Sequence, residues 1–368
     1  MHSIENYRDA ARKRLPKPIY DYLEGGADAE LALDHNRKVF ANIKLLPRRL
    51  RDVSKRSCKT TFLDSWLSAP FMLGPTGLNG LFWRNGDIAL ARAAAKEGIP
   101  FVLSTASNSS LEEVAKQSDG DKWFQLYVLN RNMTSSLVQR ALECDYSTLV
   151  LTVDVPLGGN RERDIRNKFH PSNMSLARYV YWGISRPSWG CQMLSSGKIS
   201  LANLGAGQGD AAIQAALISR SMDQTFDWEA LQWLRNLWPR KLLVKGILHP
   251  EDASMCLDLG IDAIVLSNHG GRQLDAAASP MEVLAETAQI FPGRVLIDSG
   301  FRRGSDVVKA LALGASGVLI GRPVLYGLAT SGEGGVREII KILRREIEDT
   351  LCHLGCCEIS ELSPHHIL

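Results

Sequence analysis

From residue 69 onward, short apolar runs alternate with segments of helical period, and this alternation restricts the folds open to the chain. The predicted strands are 70–74, 100–104, 123–128, 148–154, 241–246, 262–267, 294–299 and 317–321. The predicted helices are 87–97, 111–117, 133–143, 227–237, 251–259, 280–290, 305–313 and 335–353. Alternating strands and helices favour a parallel sheet, and eight such units favour closure into a (β/α)8 TIM barrel.

An open, doubly wound sheet is the alternative arrangement for such a pattern. Sheets of that kind more often carry Gly-x-Gly-x-x-Gly in the turn after the first strand. Here the turn at 74–80 reads GPTGLNG, and its glycine spacing does not fit that motif. The sequence therefore favours the closed barrel.

Length and composition agree with one large α/β domain over residues 1–368, although two domains stay open as an alternative. The net charge is +3, and the 43 Lys and Arg are spread among 40 Asp and Glu, which gives no support to nucleic-acid binding. No window approaches the roughly 20 apolar residues that cross a bilayer. Residues 1–16 lack an apolar secretion segment, so a cytoplasmic location is expected.

Cysteine usage is consistent with that location. The seven cysteines are expected to be reduced in the cytoplasm. Cys352, Cys356 and Cys357 lie near His353, but they lack the paired spacing of zinc sites. No metal site is predicted.

Two segments lie outside the repeating pattern. Residues 1–65 form an N-terminal helical extension, in which the glycines at 25–26 end a short helix that carries Tyr20 and Tyr22. Some seventy residues separate the fourth strand from its helix, and 165–215 is the predicted variable lid or binding loop within them.

The insertion mixes aromatic and basic side chains with a glycine-rich run at 205–209. These side chains are Tyr179, Tyr181, Trp182, Trp189, Arg178, Arg186 and Lys198. This mixture is compatible with contact at a membrane surface. It is equally compatible with an ordered subdomain that packs its own aromatic residues, so both interpretations stay open.

Nearly every predicted strand ends in a polar or charged residue. The residues at or just after these ends are Thr76, Gly77, Ser104, Gln125, Tyr127, Thr152, Asp154, Lys245, His269, Arg272, Asp298, Gly321 and Arg322, all but the two glycines polar or charged. The C-terminal ends of barrel strands are where barrel enzymes place their chemistry. A barrel that binds a polar cofactor would have a use for such a residue at each strand.

The stretch at 264–275 concentrates this chemistry. A buried strand runs directly into His269, two glycines and Arg272. An imidazole beside a fixed cation can act as a base next to an anion clamp. The alternative is a loop in which His269 is only hydrogen-bonded, and this stretch alone does not decide between them.

The last two strand ends predict a phosphate site. Residues 298–304 read DSGFRRG, and Gly321 and Arg322 follow the final strand. Glycines allow a phosphate to approach backbone N–H groups, and arginine adds charge-assisted hydrogen bonds. Barrels frequently bind phosphate after strands seven and eight.

Several of these segments together resemble the FMN-dependent L-2-hydroxy-acid oxidase and dehydrogenase family. The segments are 267–275 (SNHGGRQLD), 151–154 (LTVD), 125–127 (QLY), 244–246 (VKG) and 297–300 (IDSG). The resemblance covers nearly the whole chain apart from the insertion. Three further segments resemble the family members that oxidise mandelate, namely 74–80, 103–108 and 227–231.

The resemblance implies a reaction and a role for each substrate-side residue. The substrate would be an L-2-hydroxy acid, which is oxidised to a 2-oxo acid with FMN as cofactor. The implied catalytic residues are His269 as base, Asp154 as its partner, Tyr127 facing the substrate hydroxyl, and Lys245 near the flavin. The implied substrate-binding residues are Tyr22, Arg161, Arg272 and Tyr127.

The resemblance also assigns the cofactor-binding residues. Lys245 would stabilise negative charge on the flavin ring. The residues implied near the ring and ribityl chain are Thr76, Gly77, Ser104, Gln125, Thr152 and Ser267. Those implied at the ribityl and phosphate end are Asp298, Gly300, Arg302, Gly321 and Arg322.

Two departures from the glycolate oxidase branch of the family bear on specificity. Ala106 replaces a bulky aromatic residue, and Gly77 replaces an alanine beside the flavin. Both favour an aryl or bulky acid such as mandelate and a dehydrogenase that reduces a quinone or similar acceptor. An oxidase using oxygen, an L-lactate dehydrogenase and a catalytically inactive flavin-binding barrel are the alternatives. The family also implies a homotetramer. The composition of the insertion at 165–215, and not the resemblance, gives the expectation of peripheral contact with the inner face of the cell membrane.

Overall fold

A closed barrel of eight parallel strands forms the centre of the structure and confirms the predicted fold. The structure is a computed structural model that describes residues 1–169, 176–194, 200–204 and 222–368. The strands in chain order are β1 (Thr60–Phe62), β2 (Ser65–Leu67), β3 (Phe71–Leu73), β4 (Phe101–Ser104), β5 (Lys122–Leu126), β6 (Thr148–Thr152), β7 (Lys241–Ile247), β8 (Ala263–Leu266), β9 (Val295–Ile297) and β10 (Gly317–Ile320). Strands β3 to β10 are neighbours in that order, and β10 closes the barrel on β3.

Helices surround the barrel. They are α1 (Ile4–Arg14), α2 (Lys17–Glu24), α3 (Leu31–Asn42), α4 (Gly86–Glu97), α5 (Leu111–Gln117), α6 (Arg131–Glu143), α7 (Glu162–Arg166), α8 (Leu176–Ser185), α9 (Pro187–Leu194), α10 (Trp228–Leu237), α11 (Pro250–Asp258), α12 (Pro280–Ile290), α13 (Gly304–Ala312) and α14 (Arg322–Leu354). Several begin at side-chain caps: Ser110 accepts from the Glu113 N–H, and Asp227 accepts from the Ala230 N–H.

The barrel interior is filled by side chains. Met72, Val102, Val150 and Leu243 belong to one fully buried inner cluster. The antiparallel hairpin of β1 and β2 adds Phe62 to this cluster. The inner cluster is therefore a packed core and not a pore.

The last helix begins earlier than the predicted 335–353. It runs over Arg322–Leu354 and is kinked at Ser331 and Gly332, where the φ of Gly332 is +58°. A Cβ atom at Gly332 would lie 2.5 Å from the Trp83 ring, so only glycine lets the chain pass this indole. The kink explains why helical periodicity covers only the second half of α14 in the sequence.

The N-terminal extension packs along the outside of the barrel and reaches its upper rim. Helix α1 buries Ile4, Tyr7 and Ala11 and packs against α14. Helix α2 buries Tyr22 close to the C-terminal ends of the strands. The extension therefore supplies part of the rim around the site.

The described part of the insertion contains α7, α8 and α9. Trp182 and Trp189 are buried, with their ring centroids 6.4 Å apart, and the Trp189 indole donates to the Leu81 carbonyl. Tyr181 is exposed on the other side of α8. Lys198, the run at 205–209 and the Tyr179 side chain lie outside the described residues. Among the helices of the described chain, none combines the length and apolar character needed to cross a bilayer.

Candidate active site

A cleft opens at the C-terminal ends of the barrel strands, and most predicted site residues line it. Those lining it are Tyr22, Thr76, Gly77, Ser104, Tyr127, Thr152, Lys245, His269, Arg272, Asp298, Gly300, Arg302, Gly321 and Arg322. Gln125 and Ser267 are buried in the strand-end layer just outside this lining. Arg161 stands at the start of α7, outside the cleft lining.

His269 lines the cleft and pairs with Asp154, which lies outside the cleft lining. The Nδ1 atom of His269 lies 2.8 Å from Oδ1 of Asp154, and Nε2 lies 3.5 Å from the Tyr127 hydroxyl. Burial alone would raise the pKa of Asp154, but His269 and Lys245 hold that pKa well below its usual range. An ionised Asp154 fixes the imidazole and leaves Nε2 on the side of Tyr127.

Local backbone geometry places these two side chains. His269 has a φ of +57°, an uncommon conformation for a residue with a Cβ atom. Its backbone N–H donates to the Ser267 hydroxyl at 3.0 Å. Gly246 has a φ of +111°, and a Cβ atom there would lie 2.6 Å from the Asp154 Cβ. The bulge at Gly246 therefore admits Asp154 beside β7.

Lys245 is a buried cation between two carboxylates. Its Nζ lies 2.7 Å from the Ser267 hydroxyl, 3.2 Å from Asp298 and 3.4 Å from Asp154. Burial would lower the pKa of Lys245, but Asp154 and Asp298 raise it above its usual range. The ammonium group is therefore a permanent positive charge in the cleft wall.

Arg272 sits against the C-terminal end of α2. Its guanidinium donates to the carbonyls of Tyr22 at 2.9 Å and Gly25 at 2.8 Å, and its Cζ lies 5.2 Å from the centroid of the Tyr22 ring. The loop after β8 and the N-terminal extension thus bring Tyr22 and Arg272 together. This pair places a cation and a phenol on one wall of the cleft.

The Arg322 side chain binds backbone carbonyl groups, a contact that its position after β10 does not predict. Its guanidinium donates to the carbonyls of Gly270 at 2.9 Å, Gly25 at 2.9 Å and Leu23 at 3.2 Å. Burial, followed by repulsion from Arg302, lowers the pKa of Arg322. These bonds use three of the five guanidinium N–H groups, so a phosphate contact of the Arg322 side chain stays a prediction, and backbone N–H groups at the start of α14 are further donors.

The residues of the cleft fit FMN. Among the described residues, ten buried side-chain polar atoms lack a hydrogen-bond partner, and three of them belong to predicted cofactor-binding residues at or beside the cleft: Nε2 of Gln125, Oγ1 of Thr152 and Nε of Arg302. Buried polar groups are normally hydrogen-bonded, so these atoms indicate a polar ligand. A Cβ atom at Gly321 would meet nothing within 4 Å, which leaves space at the N-terminus of α14. Arg302 and this helix end can hold the phosphate, and the strand ends can hold the ring.

Asp87 is a buried residue of this region that the sequence reasoning missed. Its carboxylate accepts from the Asn79 side chain at 2.7 Å and from the backbone N–H groups of Asn108 and Ser109 at 2.9 and 3.1 Å. It therefore ties together the loops that carry Thr76, Gly77 and Ala106. A sequence signal existed, because Asp87 falls on the buried stripe of α4 with Leu90, Ala91 and Ala94.

Comparisons with known proteins agree with this site. The family model for FMN-dependent dehydrogenases matches residues 11–368. (S)-mandelate dehydrogenase of Pseudomonas putida is 54% identical over 368 residues, which cover 100% of this chain and 94% of that protein. An L-lactate dehydrogenase of Pseudomonas entomophila is 40% identical over 365 residues, covering 97% of this chain and 96% of that protein. A peroxisomal (S)-2-hydroxyacid oxidase of Arabidopsis thaliana is 39% identical, covering 99% and 96%.

The fold comparison is equally extensive. A crystal structure of monotopic membrane protein (S)-mandelate dehydrogenase matches with a TM-score of 0.96 and 54% identity, covering 100% of this chain and 99% of that one. The similarity to this protein that segments 74–80, 103–108 and 227–231 indicate is confirmed, and so is FMN as the cofactor. The chain belongs to the FMN-dependent dehydrogenase family.

Proposed function

We propose that this enzyme oxidises an L-2-hydroxy acid with an aryl or other bulky side chain, with (S)-mandelate as the expected substrate. The observation that carries the proposal is the His269 and Asp154 pair, joined at 2.8 Å with Nε2 turned toward Tyr127 in the cleft. The 54% identity to (S)-mandelate dehydrogenase supports the substrate class.

The reaction takes two electrons and two protons from the carbinol group of the substrate. Bound FMN would accept the two electrons and one of the two protons. His269 takes one proton at Nε2, and the adjacent carboxylate of Asp154 stabilises the imidazolium that forms. Tyr127 and Lys245 both line the cleft. Tyr127 would face the substrate hydroxyl, and the positive charge of Lys245 would stabilise negative charge on the reduced flavin ring.

A carboxylate clamp orients the substrate. Arg272 is fixed by backbone carbonyls of α2, so its charge is already in place before the substrate binds. Tyr22, whose ring lies against Arg272, adds a hydroxyl to the same wall. We infer that Arg161, which stands at the start of α7 outside the cleft lining, adds a second cation to the clamp from the loop after β6.

Small residues make room for the substrate side chain. Ala106 lines the cleft beside Gly77, where a Cβ atom would lie 3.1 Å from that of Ala106. Phe82 also lines the cleft and stacks with Tyr22, with centroids 6.3 Å apart. This apolar wall suits a phenyl group better than the methyl group of lactate.

An anaerobic substrate screen tests the reaction. The FMN-loaded enzyme is mixed with mandelate, phenyllactate, lactate or glycolate, and the bleaching of flavin absorbance is followed. Mandelate is expected to bleach the flavin fastest, and His269→Gln is expected to keep FMN while losing bleaching. A wild-type enzyme that none of these acids bleaches would refute the proposal, and faster bleaching by lactate would favour the L-lactate dehydrogenase alternative.

The electron acceptor is proposed to be a quinone, with oxygen as the alternative. Gly77 and Ala106 are the residues that favour a dehydrogenase. Under air with mandelate, the yield of hydrogen peroxide is compared with the rate of reduction of a quinone analogue. Peroxide formed as fast as the quinone analogue is reduced would identify an oxidase instead.

Peripheral membrane contact through the insertion is proposed from one face of α8. Val180, Tyr181 and Ile184 are 51%, 71% and 76% exposed and lie at helical spacing. The variant with Val180→Ser, Tyr181→Ser and Ile184→Ser is expected to stop sedimenting together with anionic vesicles. The control variant Leu50→Ser changes an exposed residue far from α8 in the sequence and is expected to sediment with the vesicles as the wild type does. Equal binding of all three forms to the vesicles would refute the membrane contact.

The expected homotetramer is tested by light scattering of the detergent-solubilised enzyme.

A further inference from the structure

Residues 26–36 of the N-terminal extension bind the segment that carries His269. The Ala27 N–H donates to the Gly271 carbonyl at 2.9 Å, and the Ala32 N–H donates to Oδ1 of Asp275 at 2.9 Å. A Cβ atom at Gly271 would lie 2.5 Å from the Leu33 nitrogen, so the two backbones are in direct contact. The loop after β8 is thus held from outside by α3 and the turn before it.

The most specific link between these segments is a reciprocal amide pair. Nδ2 of Asn36 donates to Oδ1 of Asn268 at 2.8 Å, and Nδ2 of Asn268 donates to Oδ1 of Asn36 at 2.8 Å. Both side chains are buried, with relative exposures of 1% and 4%. Two buried amides that satisfy each other fix both position and orientation, because a shift of either leaves polar atoms unpaired.

Asn268 passes this constraint on to the turn that contains His269. Its Oδ1 also accepts from the Gly271 N–H at 3.1 Å, and its Nδ2 also donates to the Ala278 carbonyl at 3.1 Å. His269 lies inside this turn with a left-handed φ of +57°, which costs energy for a residue with a Cβ atom. Such a conformation persists only where its surroundings hold it in place.

Asn36 occupies a crowded position between two strand ends. A Cβ atom at Gly300 would lie 1.9 Å from the Asn36 carbonyl oxygen, so the backbone of α3 also presses on the loop after β9. The neighbouring residue His35 points elsewhere: its Nε2 contacts Glu282 of α12 at 2.9 Å on the exposed side. The two adjacent residues therefore connect α3 to different parts of the molecule.

We propose that Asn36 is a positioning residue for the base His269, acting through the Asn268 amide to hold the left-handed turn at His269 against Asp154. The inference rests on the proposed role of His269. It makes the N-terminal extension part of the device that orients the base, in addition to its contribution of Tyr22 to the cleft wall.

The test compares Asn36→Ala with His35→Ala in the FMN-loaded enzyme. The limiting rate of anaerobic flavin bleaching by mandelate is expected to fall at least tenfold in Asn36→Ala, with FMN content and the apparent substrate Kd within twofold of wild type. His35→Ala is expected to stay within twofold in all three quantities. An unchanged rate in Asn36→Ala, or an equal fall in His35→Ala, would overturn the proposal.

A double-mutant cycle identifies Asn268 as the intermediary. Asn268→Ala and the double alanine variant are expected to bleach the flavin as slowly as Asn36→Ala. A double variant whose rate falls by the product of the two single reductions would show that the two side chains act separately. If Asn36→Ala does not fold, Asn36→Asp replaces it, because its carboxylate still accepts from Asn268 Nδ2 but cannot donate to Oδ1. An intermediate rate is expected for Asn36→Asp, and a wild-type rate would contradict the proposal.

A measurement without substrate separates this inference from the proposed function. The Nδ1 proton of His269 bonded to Asp154 is expected to give a low-field proton NMR signal that is absent in His269→Gln. The signal should be lost or shifted in Asn36→Ala and unchanged in His35→Ala. If no hydroxy acid bleaches the wild type, the proposed function fails, while this signal still decides whether Asn36 positions His269; an unaltered signal in Asn36→Ala would show that it does not.

Discussion

Asp154 and His269 are 115 residues apart in the chain, yet Oδ1 of Asp154 lies 2.8 Å from Nδ1 of His269. Strand β6 ends two residues before Asp154, and β8 ends three residues before His269. Because β7 separates these two strands in the barrel, both side chains reach across the end of β7. Lys245 and Gly246 occupy that end. Lys245 places a positive charge beside Asp154, and Gly246 lacks the Cβ atom that would collide with it.

Replacing Asp154 with asparagine tests the value of its charge. The amide can still accept from Nδ1, but it cannot stabilise an imidazolium, so bleaching by mandelate should slow by about 10²- to 10⁴-fold, the usual range for general acid–base catalysis. The low pKa of Asp154 keeps the wild-type carboxylate ionised across the accessible pH range, so the loss should persist at every pH. A rate within threefold of wild type, at equal FMN content, would contradict this role.

Lys245→Met should damage both stability and cofactor binding. Removing the ammonium group leaves the carboxylates of Asp154 and Asp298 without their shared cation, and breaking a buried charge pair typically costs about 3–5 kcal/mol. Lys241→Met, at the other end of β7, removes only a 3.7 Å contact with exposed Asp64 and should cost less than about 1 kcal/mol. Urea unfolding and FMN titration of both variants provide the measurement. Equal losses would show that burial of Lys245 is energetically unimportant.

Two glycines near the predicted phosphate end should respond differently to alanine. Gly300 has a φ of +92°, and its added Cβ would lie 1.9 Å from the Asn36 oxygen, so Gly300→Ala should destabilise the fold itself. At Gly321 nothing lies within 4 Å of the added atom, so Gly321→Ala should fold normally but bind FMN more weakly. Thermal melting without FMN and fluorescence titration with FMN separate the effects. Wild-type FMN affinity in Gly321→Ala would show that the cofactor does not approach this residue.

The buried carboxyl of Asp87 should make stability depend on pH. Burial raises its pKa from 3.8 to about 6, although hydrogen bonds from Asn79, Asn108 and Ser109 oppose the rise. A group whose folded-state pKa is raised contributes stability that is present at low pH and lost as the pH rises through that value. Relative to Asp87→Asn, the wild type should lose about 2 kcal/mol of unfolding free energy between pH 4 and 7. Urea midpoints that run parallel across this range would contradict the shift.

Much of the fold and the site could be predicted because both follow from local patterns. The apolar runs and helical periods identified the eight barrel strands, and a parallel barrel brings all strand ends to one rim. Polar residues at those ends, such as Lys245 and Asp298, therefore had to meet in one cleft. The predicted strand limits were less accurate. The strand predicted at 148–154 ends at Thr152 in β6, because a strand ends where its neighbour stops pairing with it.

The contacts of the N-terminal extension could not be predicted. Asn36 meets Asn268 across 232 residues, and Arg322 binds the Leu23 carbonyl across 299. Neither residue shows a periodicity or motif that indicates its partner, and the position of Arg322 after β10 predicts a phosphate contact without predicting its bond to the Leu23 carbonyl. How an extension folds back over a barrel is set by side-chain packing between distant surfaces, which has no signature in a local window.

The sequence by itself determined the barrel, the rim that carries the chemistry and the residue types available there, because strand and helix periods and the direction of parallel strands are local properties. Only the tertiary structure decided which of these residues touch: that Asp154 reaches His269 past Gly246, that Lys245 stands between two carboxylates, and that Asn36 pairs with Asn268. These contacts depend on distances of a few ångströms between distant segments, and close packing of the whole chain sets those distances.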